Sequence, residues 1–482
     1  MCQHCSGSFD FSRREMLIAA AGAAAAVGGC SSTKTSLLAD PKQVAALPPE
    51  EEAAWPLVRV AYLRPKGPYW LGWPGTAWDV DGFTQKSRQQ AESYARQVKV
   101  RLVFESEPLY DAAAVDAFVS RIQSDKPDGV LVFPMHMNQW GMADKIAKAG
   151  RPTIIFAGLG MCFTGHIQQI SKLPGVYLAS TADYDLKPVR FGLKMIRTNH
   201  DIRRMKVAVL VGNETKEQVL EPLGLTVRYV PRERFPEVLQ TVEVTPEVKA
   251  IADEYGRRAA KIVEPSNEDI LNASRNYFAA LQILKDEGCH GISMECLGLV
   301  AERKIPCPPC MAWSKLLDVG IPGVCEADIK AVMGHSLCVQ LLDKPGFMQD
   351  PVPDTVNNTF IGAHCVSPTR LDGYDQVPAK FILRSHSESD LGVSLQVLWE
   401  PGREVTVMQF LDPGRMILGK GTVLRNLDTP PAGGCRTSVE LALDGPPDTR
   451  DTKGFHQLFI AGNHVRDFQA YGQMFGIATE HI

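Results

Sequence analysis

Residues 291–331 read GISMECLGLV AERKIPCPPC MAWSKLLDVG IPGVCEADIK A, and the rest of the chain is interpreted around this stretch. Two short apolar runs in it are each followed at once by acids, Glu295 after the first and Glu326 and Asp328 after the second. Carboxylates just past buried strands point into the crevice at the carboxyl edge of an α/β sheet, where such folds bind ligands. The three acids are therefore candidates for chemistry. The alternative is that they cap the helices that follow, since acids favour helix N-termini.

Strands and helices alternate on the N-terminal side of this stretch. Four apolar strands alternate with helical patterns over residues 57–157, and a second set begins at residue 206. In the second set we expect a helix between the strands 207–211 and 225–230. Strands that alternate with helices predict parallel sheets with crossover connections.

The pattern changes after residue 345. Prolines are followed by runs with the period of two that half-buried strands show, for example at 403–410 and 437–443, and these predict an antiparallel sheet or small barrel. The predicted fold class is α/β, with two doubly wound parallel-sheet domains followed by a C-terminal antiparallel, β-rich, barrel-like domain. The predicted domain ranges are 56–205, 206–345 and 346–482.

The N-terminus carries export signals. Arg13 and Arg14 precede an apolar run of Ala and Gly that ends at Cys30, which resembles a Tat-type signal with a lipoprotein processing site. The run is shorter than the roughly 20 residues that a membrane span requires. We expect residues 1–30 to be the signal and residues 31–55 to be a flexible tether. The protein is predicted to be an exported, periplasmic or outer-surface lipoprotein that touches the membrane only through a lipid anchor at Cys30.

Composition and missing motifs exclude several classes of ligand. The 51 Lys and Arg residues are scattered and the net charge is −4, so nucleic acid is not expected as a partner. Neither α/β set shows a glycine-rich phosphate loop after its first strand, which argues against NAD and ATP. Most of the cysteines beyond the signal are expected to be buried thiols, because folding before Tat export takes place where thiols stay reduced. Cys307 and Cys310 form a lone CxxC without the second pair that a zinc site needs.

Three histidines in the C-terminal half, His364, His386 and His464, lie beside turn residues or at strand ends. Imidazoles combined with carboxylates from separate strand ends are the ligand set of Mn²⁺, Fe²⁺ or Zn²⁺. A single histidine of this kind is more often a hydrogen-bonded structural residue, and that alternative stays open for each of them.

Five short motifs, taken in order, resemble those of the L-fucose isomerase and L-arabinose isomerase superfamily. They are Met294-Glu295, Cys325-Glu326-Ala327-Asp328, Ala363-His364-Cys365, Leu383-Arg384-Ser385-His386-Ser387-Glu388 and Gly462-Asn463-His464. The resemblance extends over nearly all of the chain from about residue 57. It implies two α/β domains before a β-rich domain, a homo-oligomer, and a divalent metal, usually Mn²⁺, between the second and third domains.

The resemblance also implies roles for individual residues. The metal ligands would be Glu295, Asp328 and His464, with Glu326 as the competing second acid. Glu295 and Asp328 would also form the catalytic pair that moves the proton. The residues expected around the substrate are Arg64, Glu326, His364 and His386.

An insertion between Arg64-Pro65 and Asp81-Gly82 departs from the family pattern. It carries Trp70, Trp73 and Trp78, whose flat rings suit the apolar face of a sugar, so we expect them to bind substrate. The alternative is a surface loop with partly buried aromatic residues.

Together these features predict a metal-dependent aldose–ketose isomerase, an intramolecular oxidoreductase that acts on a monosaccharide through an enediol. A metal lowers the barrier by polarising the reacting oxygens. The alternative is a non-catalytic sugar-binding lipoprotein, a solute-binding or sensor protein, since two doubly wound lobes also outline that class. The β-rich third domain and the Tat-type signal argue against the alternative.

Overall fold

The computed structural model describes residues 41–71, 77–429, 434–445 and 448–482. The predicted signal, the anchor residue Cys30 and the substrate-binding candidate Trp73 lie outside the described residues. No helix within the described ranges is long and apolar enough to cross a membrane.

The first sheet consists of five parallel strands. These are β1 (Leu57–Leu63), β2 (Arg101–Phe104), β3 (Gly129–Pro134), β4 (Thr153–Gly158) and β5 (Val176–Thr181). The helices before and between them are α1 (Pro41–Val44), α2 (Val80–Gln97), α3 (Ala112–Asp125), α4 (Trp140–Ala147) and α5 (Thr164–Ile167), and α6 (Lys187–Arg204) follows β5. The order β2-β1-β3-β4-β5 is doubly wound. Every residue of β3 and β4 is buried, as expected of central parallel strands covered by helices on both faces.

The second sheet follows the same plan, with one antiparallel edge strand. Its strands are β6 (Lys206–Leu210), β7 (Lys216–Leu220), β8 (Leu225–Val230), β10 (Ile292–Met294) and β11 (Gly323–Cys325), in the order β11-β10-β6-β8-β7. Its helices are α7 (Arg234–Thr241), α8 (Pro246–Arg258), α9 (Asn267–Glu287), α10 (Leu297–Ala301), α11 (Cys310–Asp318) and α12 (Ile329–Leu342). The prediction of a helix between β6 and β8 is wrong. The chain forms the strand β7 there, which pairs with β8 as a hairpin. Four of the five β7 residues are exposed, so this edge strand lacks the apolar alternation that identifies a strand.

The C-terminal part forms a closed antiparallel barrel of six strands, which confirms the predicted fold class. The strands are β12 (Phe347–Asp354), β13 (Thr359–His364), β16 (Glu404–Asp412), β17 (Arg415–Asn426), β18 (Thr437–Asp444) and β19 (Gln457–Ala461). Their order is β16-β19-β12-β13-β18-β17, and β17 pairs again with β16 to close the ring. After α13 (Val465–Phe475), β20 (Ala478–His481) pairs in parallel with β17.

A small third sheet joins the second α/β set to the barrel region. It consists of β9 (Lys261–Ile262), β14 (Phe381–Arg384) and β15 (Ser394–Val397), and β14 is its central strand. β9 comes from the chain between α8 and α9, whereas β14 and β15 lie between barrel strands in sequence. The two regions therefore share main-chain hydrogen bonds.

The described end of the predicted tether contacts the folded chain. The Glu50 carboxylate lies 2.9 Å from Arg197, 2.8 Å from His200 and 3.0 Å from Arg204, all on α6. Its partner His200 comes 150 residues later in the chain, so composition alone could not reveal the contact. The expectation of a tether is therefore wrong for the residues around Glu50.

Candidate metal centre

Glu295 and Glu326 lie at the carboxyl edge of the second sheet. β10 ends at Met294 and β11 ends at Cys325, and these two residues are partners in the parallel register. The two glutamates therefore follow the ends of adjacent strands, in the place where α/β sheets bind ligands. Their side chains, however, have different partners.

The Glu295 carboxylate accepts hydrogen bonds from an arginine and from the N-terminal turn of a helix. Its Oε2 accepts a hydrogen bond from Arg232 Nη1 at 2.7 Å, and its Oε1 accepts one from the backbone N–H of Gly298 at 2.8 Å. The second contact caps the first turn of α10. Helix capping is the alternative role that the sequence analysis gave for this acid. The structure therefore does not place Glu295 in the predicted metal and proton-transfer site, because Arg232 neutralises its charge.

Three carboxylates and two imidazoles converge beside Glu326. His456 Nε2 lies 3.3 Å from Glu326 Oε2 and 3.2 Å from Asp350 Oδ1, and His456 Nδ1 lies 2.7 Å from Asp328 Oδ2. His364 Nε2 lies 3.6 Å from Glu326 Oε1. One ligand atom from each of Glu326, His364 and His456 lies within 4.8 Å of the others. We call these five residues the carboxylate–imidazole cluster.

The backbone of the cluster is strained at three positions. Glu326, Ala327 and His456 have φ values of +60°, +55° and +58°, in the left-handed region that residues with a Cβ rarely adopt. Such conformations cost roughly 1–3 kcal/mol each and collect at functional sites, where the surrounding structure holds them in place. Two of these three residues, Glu326 and His456, are in contact with each other through their side chains.

The carboxylates and imidazoles of the cluster shift one another's pKa values. The imidazoles of His364 and His456 hold the pKa of Glu326 well below its ordinary value. Burial lowers the pKa of His456, but the carboxylates of Asp328, Asp350 and Glu326 outweigh burial and raise it to about 11. Burial raises the pKa of Asp328, yet its hydrogen bonds to His456 and to a backbone N–H leave it below the ordinary value. The carboxylates therefore favour a cation at this point, and a metal ion would replace the imidazolium proton, since ligands bind metal in their deprotonated form.

The donor atoms fit a divalent metal ion. Neither contact of His456 Nε2 has hydrogen-bond geometry, so this atom and Asp350 Oδ1 are buried without a hydrogen-bond partner among the described residues. Carboxylate and imidazole donors together suit Mn²⁺, Fe²⁺ or Zn²⁺. Glu326, His364 and His456 would hold the ion, with Asp350 beside it.

Asp328 contacts the His456 ring at Nδ1, the nitrogen that Glu326 and Asp350 do not contact. Its Oδ1 accepts the backbone N–H of Ala331 at 2.8 Å and caps α12, while its Oδ2 holds His456 Nδ1. A carboxylate on the far nitrogen of a metal-binding histidine fixes the tautomer and the ring orientation. The structure thus gives Asp328 both the capping role and a supporting role, and it places Glu326 in the ligand group.

His464 lies outside the carboxylate–imidazole cluster, although the resemblance implied that it is a metal ligand. Its Nδ1 lies 3.0 Å from Asp467 Oδ2, and its Nε2 lies 3.2 Å from the Ala461 carbonyl oxygen and 3.4 Å from Lys344 Nζ. A lysine cation beside Nε2 opposes metal binding. The predicted triad of Glu295, Asp328 and His464 is therefore not assembled among the described residues.

The candidate substrate residues of the first sheet lie at its own carboxyl edge. Arg64 follows β1 and forms an ion pair with Asp81 at 2.6 Å. The Trp78 ring packs against the rings of Tyr69 and Phe83, with centroids 6.0 and 5.4 Å away, as a partly buried aromatic residue would. The Trp70 side chain is 46% exposed.

His386 lies on the far side of a small cavity that adjoins the carboxylate–imidazole cluster. The cavity has a volume of about 40 Å³, and its wall includes Glu326, Asp350 and His364 together with His386. The Nδ1 atom of His386 lies 2.9 Å from Ser389 Oγ, and Cys365 lines the same cavity. His364 and His386 therefore line one cavity, but only His364 belongs to the group that could hold a metal ion.

Sequence reasoning missed Asp350, Phe455 and His456. His456 precedes β19, whereas the rule applied to the acids looks past the carboxyl ends of parallel strands. In an antiparallel barrel either end of a strand can face the site, so no such rule applies. Phe455 is 60% exposed, and its ring centroid lies 4.3 Å from that of His456. It therefore places an exposed aromatic surface beside the cluster.

No family model and no curated protein matches the sequence. One similar solved structure is a carbohydrate transporter from Acidothermus cellulolyticus 11B in complex with myo-inositol, with 13% identity, 52% of this chain and 79% of that chain covered, and a TM-score of 0.18. Another is an ABC transporter solute-binding protein from Agrobacterium vitis bound with α-D-tagatopyranose, with 14% identity, 51% and 78% covered, and a TM-score of 0.16. Similarity this low carries no argument about function.

Proposed function

We propose that the chain is a divalent-metal-dependent enzyme of the aldose–ketose isomerase type that acts on a small polyhydroxylated molecule. The observation that carries the proposal is the convergence of Glu326, His364 and His456, where His456 Nε2 is buried without a hydrogen-bond partner among the described residues. An ion held there would polarise the substrate oxygens on which charge develops during enolisation.

The residues of the chain would divide the remaining work. Asp350 Oδ1 has no hydrogen-bond partner among the described residues, and it would accept a proton from a bound ligand. Asp328 would keep the His456 ring in position through its 2.7 Å contact. Phe455 would stack on the apolar face of the ligand, and its exposure leaves that face of the ring open.

The direct test is an isomerase assay over a panel of aldoses in D₂O with added Mn²⁺, following deuterium incorporation next to the carbonyl carbon. We expect exchange with the wild type, none with Glu326→Gln, and near wild-type exchange with the control His464→Gln. Circular dichroism checks that the variants fold. Absence of exchange with every sugar, or wild-type exchange with Glu326→Gln, would contradict the proposal.

The second candidate is a non-catalytic sugar-binding protein. The observation that favours it is the exposed Phe455 ring, because stacking on a sugar does not require catalysis. Calorimetric titration with sugars separates the two candidates, since tight binding without metal and without deuterium exchange supports the binding protein. Phe455→Ala should weaken sugar binding under either candidate. Phe163→Ala, which removes a ring of similar exposure (58%) after β4, is the matched control.

A further inference from the structure

Five cysteines line the cavity beside the carboxylate–imidazole cluster, and the proposed function uses none of them. They are Cys296, Cys310, Cys325, Cys365 and Cys435. All five are free thiols, and four of them are buried. So many thiols on one small cavity make it the most distinctive chemical feature of the molecule outside the cluster.

Cys310, Cys365 and Cys435 line the same cavity of about 40 Å³. The Cys365 Sγ atom lies 3.7 Å from Ser387 Oγ. One small space is thus shared by three thiols that come from different parts of the chain.

The chain positions of these thiols show what a bond between them would join. Cys310 is the first residue of α11, beside the second sheet, and Cys365 directly follows β13 of the barrel. Cys435 precedes β18, and the pairing of His364 with Thr437 brings the two chain segments side by side. A bond from Cys365 to Cys310 would link the second α/β set to the barrel, whereas a bond to Cys435 would stay within the barrel.

The size of the cavity limits which oxidant can reach Cys365. A cavity needs roughly 10–15 Å³ to hold one water molecule, and this one measures about 40 Å³. Hydrogen peroxide, which is little larger than water, fits. A tripeptide disulfide such as oxidised glutathione does not.

We propose that Cys365 is a modification site, oxidised by hydrogen peroxide and then joined by a disulfide bond to Cys310 or Cys435. In the first step the sulfur attacks the O–O bond, which gives the sulfenic acid and one water. In the second step the neighbouring thiol displaces the sulfenic hydroxyl as a second water and the S–S bond forms. The two sulfurs together lose two electrons and two hydrogens, and the peroxide is reduced to water.

The experiment treats the folded full-length chain with hydrogen peroxide and maps the product by alkylation and peptide mass spectrometry. We expect the loss of two hydrogens and a disulfide-linked peptide pair that contains Cys365 with Cys310 or Cys435. The same dose of oxidised glutathione should leave these thiols alkylatable once the protein is unfolded in urea. In the Cys310→Ser/Cys435→Ser double variant, the sulfenic acid should persist at Cys365, and dimedone added together with urea should trap it there, because dimedone is too large for the folded cavity.

Cys365→Ser should lose the linked pair, and Cys289→Ser, at a buried thiol outside this cavity, is the matched control that should keep it. The proposal is overturned if wild-type disulfides form only between other cysteines, or if Cys365 stays fully alkylatable after peroxide treatment. Mapping the wild type decides the question even if a variant fails to fold. The result does not depend on the isomerase assay.

Discussion

Replacing Asp328 by Asn separates its two roles, which are capping α12 and holding the His456 ring. Asn can still cap the helix, but it carries no negative charge. Asn and Asp are about equally good N-caps, so the 2.8 Å bond from the Ala331 N–H should be kept. The 2.7 Å contact to His456 changes from a charged to a neutral hydrogen bond, which lowers its worth from about 1.5–3 to about 0.5–1.5 kcal/mol. Loss of such an outer partner of a metal-binding histidine lowers metal affinity by about 10–100-fold.

Calorimetric titration with Mn²⁺ and urea unfolding of the metal-free protein measure the two effects separately. Asp328→Asn should bind Mn²⁺ about 10–100-fold more weakly, which corresponds to roughly 1.4–2.7 kcal/mol. The matched control is Asp111→Asn at the cap of α3, where Asp111 accepts the Ala114 N–H at 3.0 Å. The control should leave Mn²⁺ affinity unchanged. If Asp328→Asn also binds Mn²⁺ like the wild type, Asp328 is only a helix cap and the reasoning fails.

Two further predictions concern stability. Burial raises the pKa of Glu50, but His200 and two arginines lower it below the ordinary 4.5, so its contribution is present above about pH 4.5 and is lost as the pH falls through the lowered value. Glu50→Gln should therefore reduce the unfolding free energy by roughly 1–3 kcal/mol at about pH 7 and approach the wild type in acid, as urea unfolding at both pH values would show. A Cβ on Gly362 would lie 2.3 Å from the buried Phe459 ring, so Gly362→Ala should cost about 1–3 kcal/mol in thermal or urea unfolding. Gly141→Ala, where the added Cβ meets nothing within 4 Å, should not destabilise the protein, and an equal loss in both variants would contradict the packing argument.

The alternation of apolar runs and helical patterns predicted two sheets of α/β type and the barrel, but it did not include the edge strand β5. It also placed Glu295 and Glu326 correctly at adjacent strand ends, because β10 and β11 are short, apolar and parallel. It failed at β7, whose exposed residues carry no apolar period. The apolar periodicity of a sequence indicates which residues are buried. An exposed edge strand buries few residues, so it shows no such periodicity.

The candidate site was harder to predict because its members come from distant parts of the chain. Arg232, which occupies Glu295, lies 63 residues before it, and His456 lies 128 residues after Asp328. A local sequence motif cannot predict contacts between residues so far apart in the chain. The resemblance placed the third metal ligand at His464, past the end of β19, whereas the histidine that joins the cluster precedes the same strand.

The central claim is that Glu326, His364 and His456 hold a divalent metal ion. Mn²⁺ titration of four proteins, the wild type and the variants His456→Gln, Glu295→Gln and His464→Gln, tests it most directly. We expect one ion per chain in the wild type and a loss of more than about 100-fold in affinity for His456→Gln, since outer partners alone are worth about 10–100-fold. Glu295→Gln and His464→Gln should bind like the wild type. Wild-type affinity in His456→Gln, together with loss of binding in the other two variants, would contradict the account and favour the ligand set that the resemblance implied.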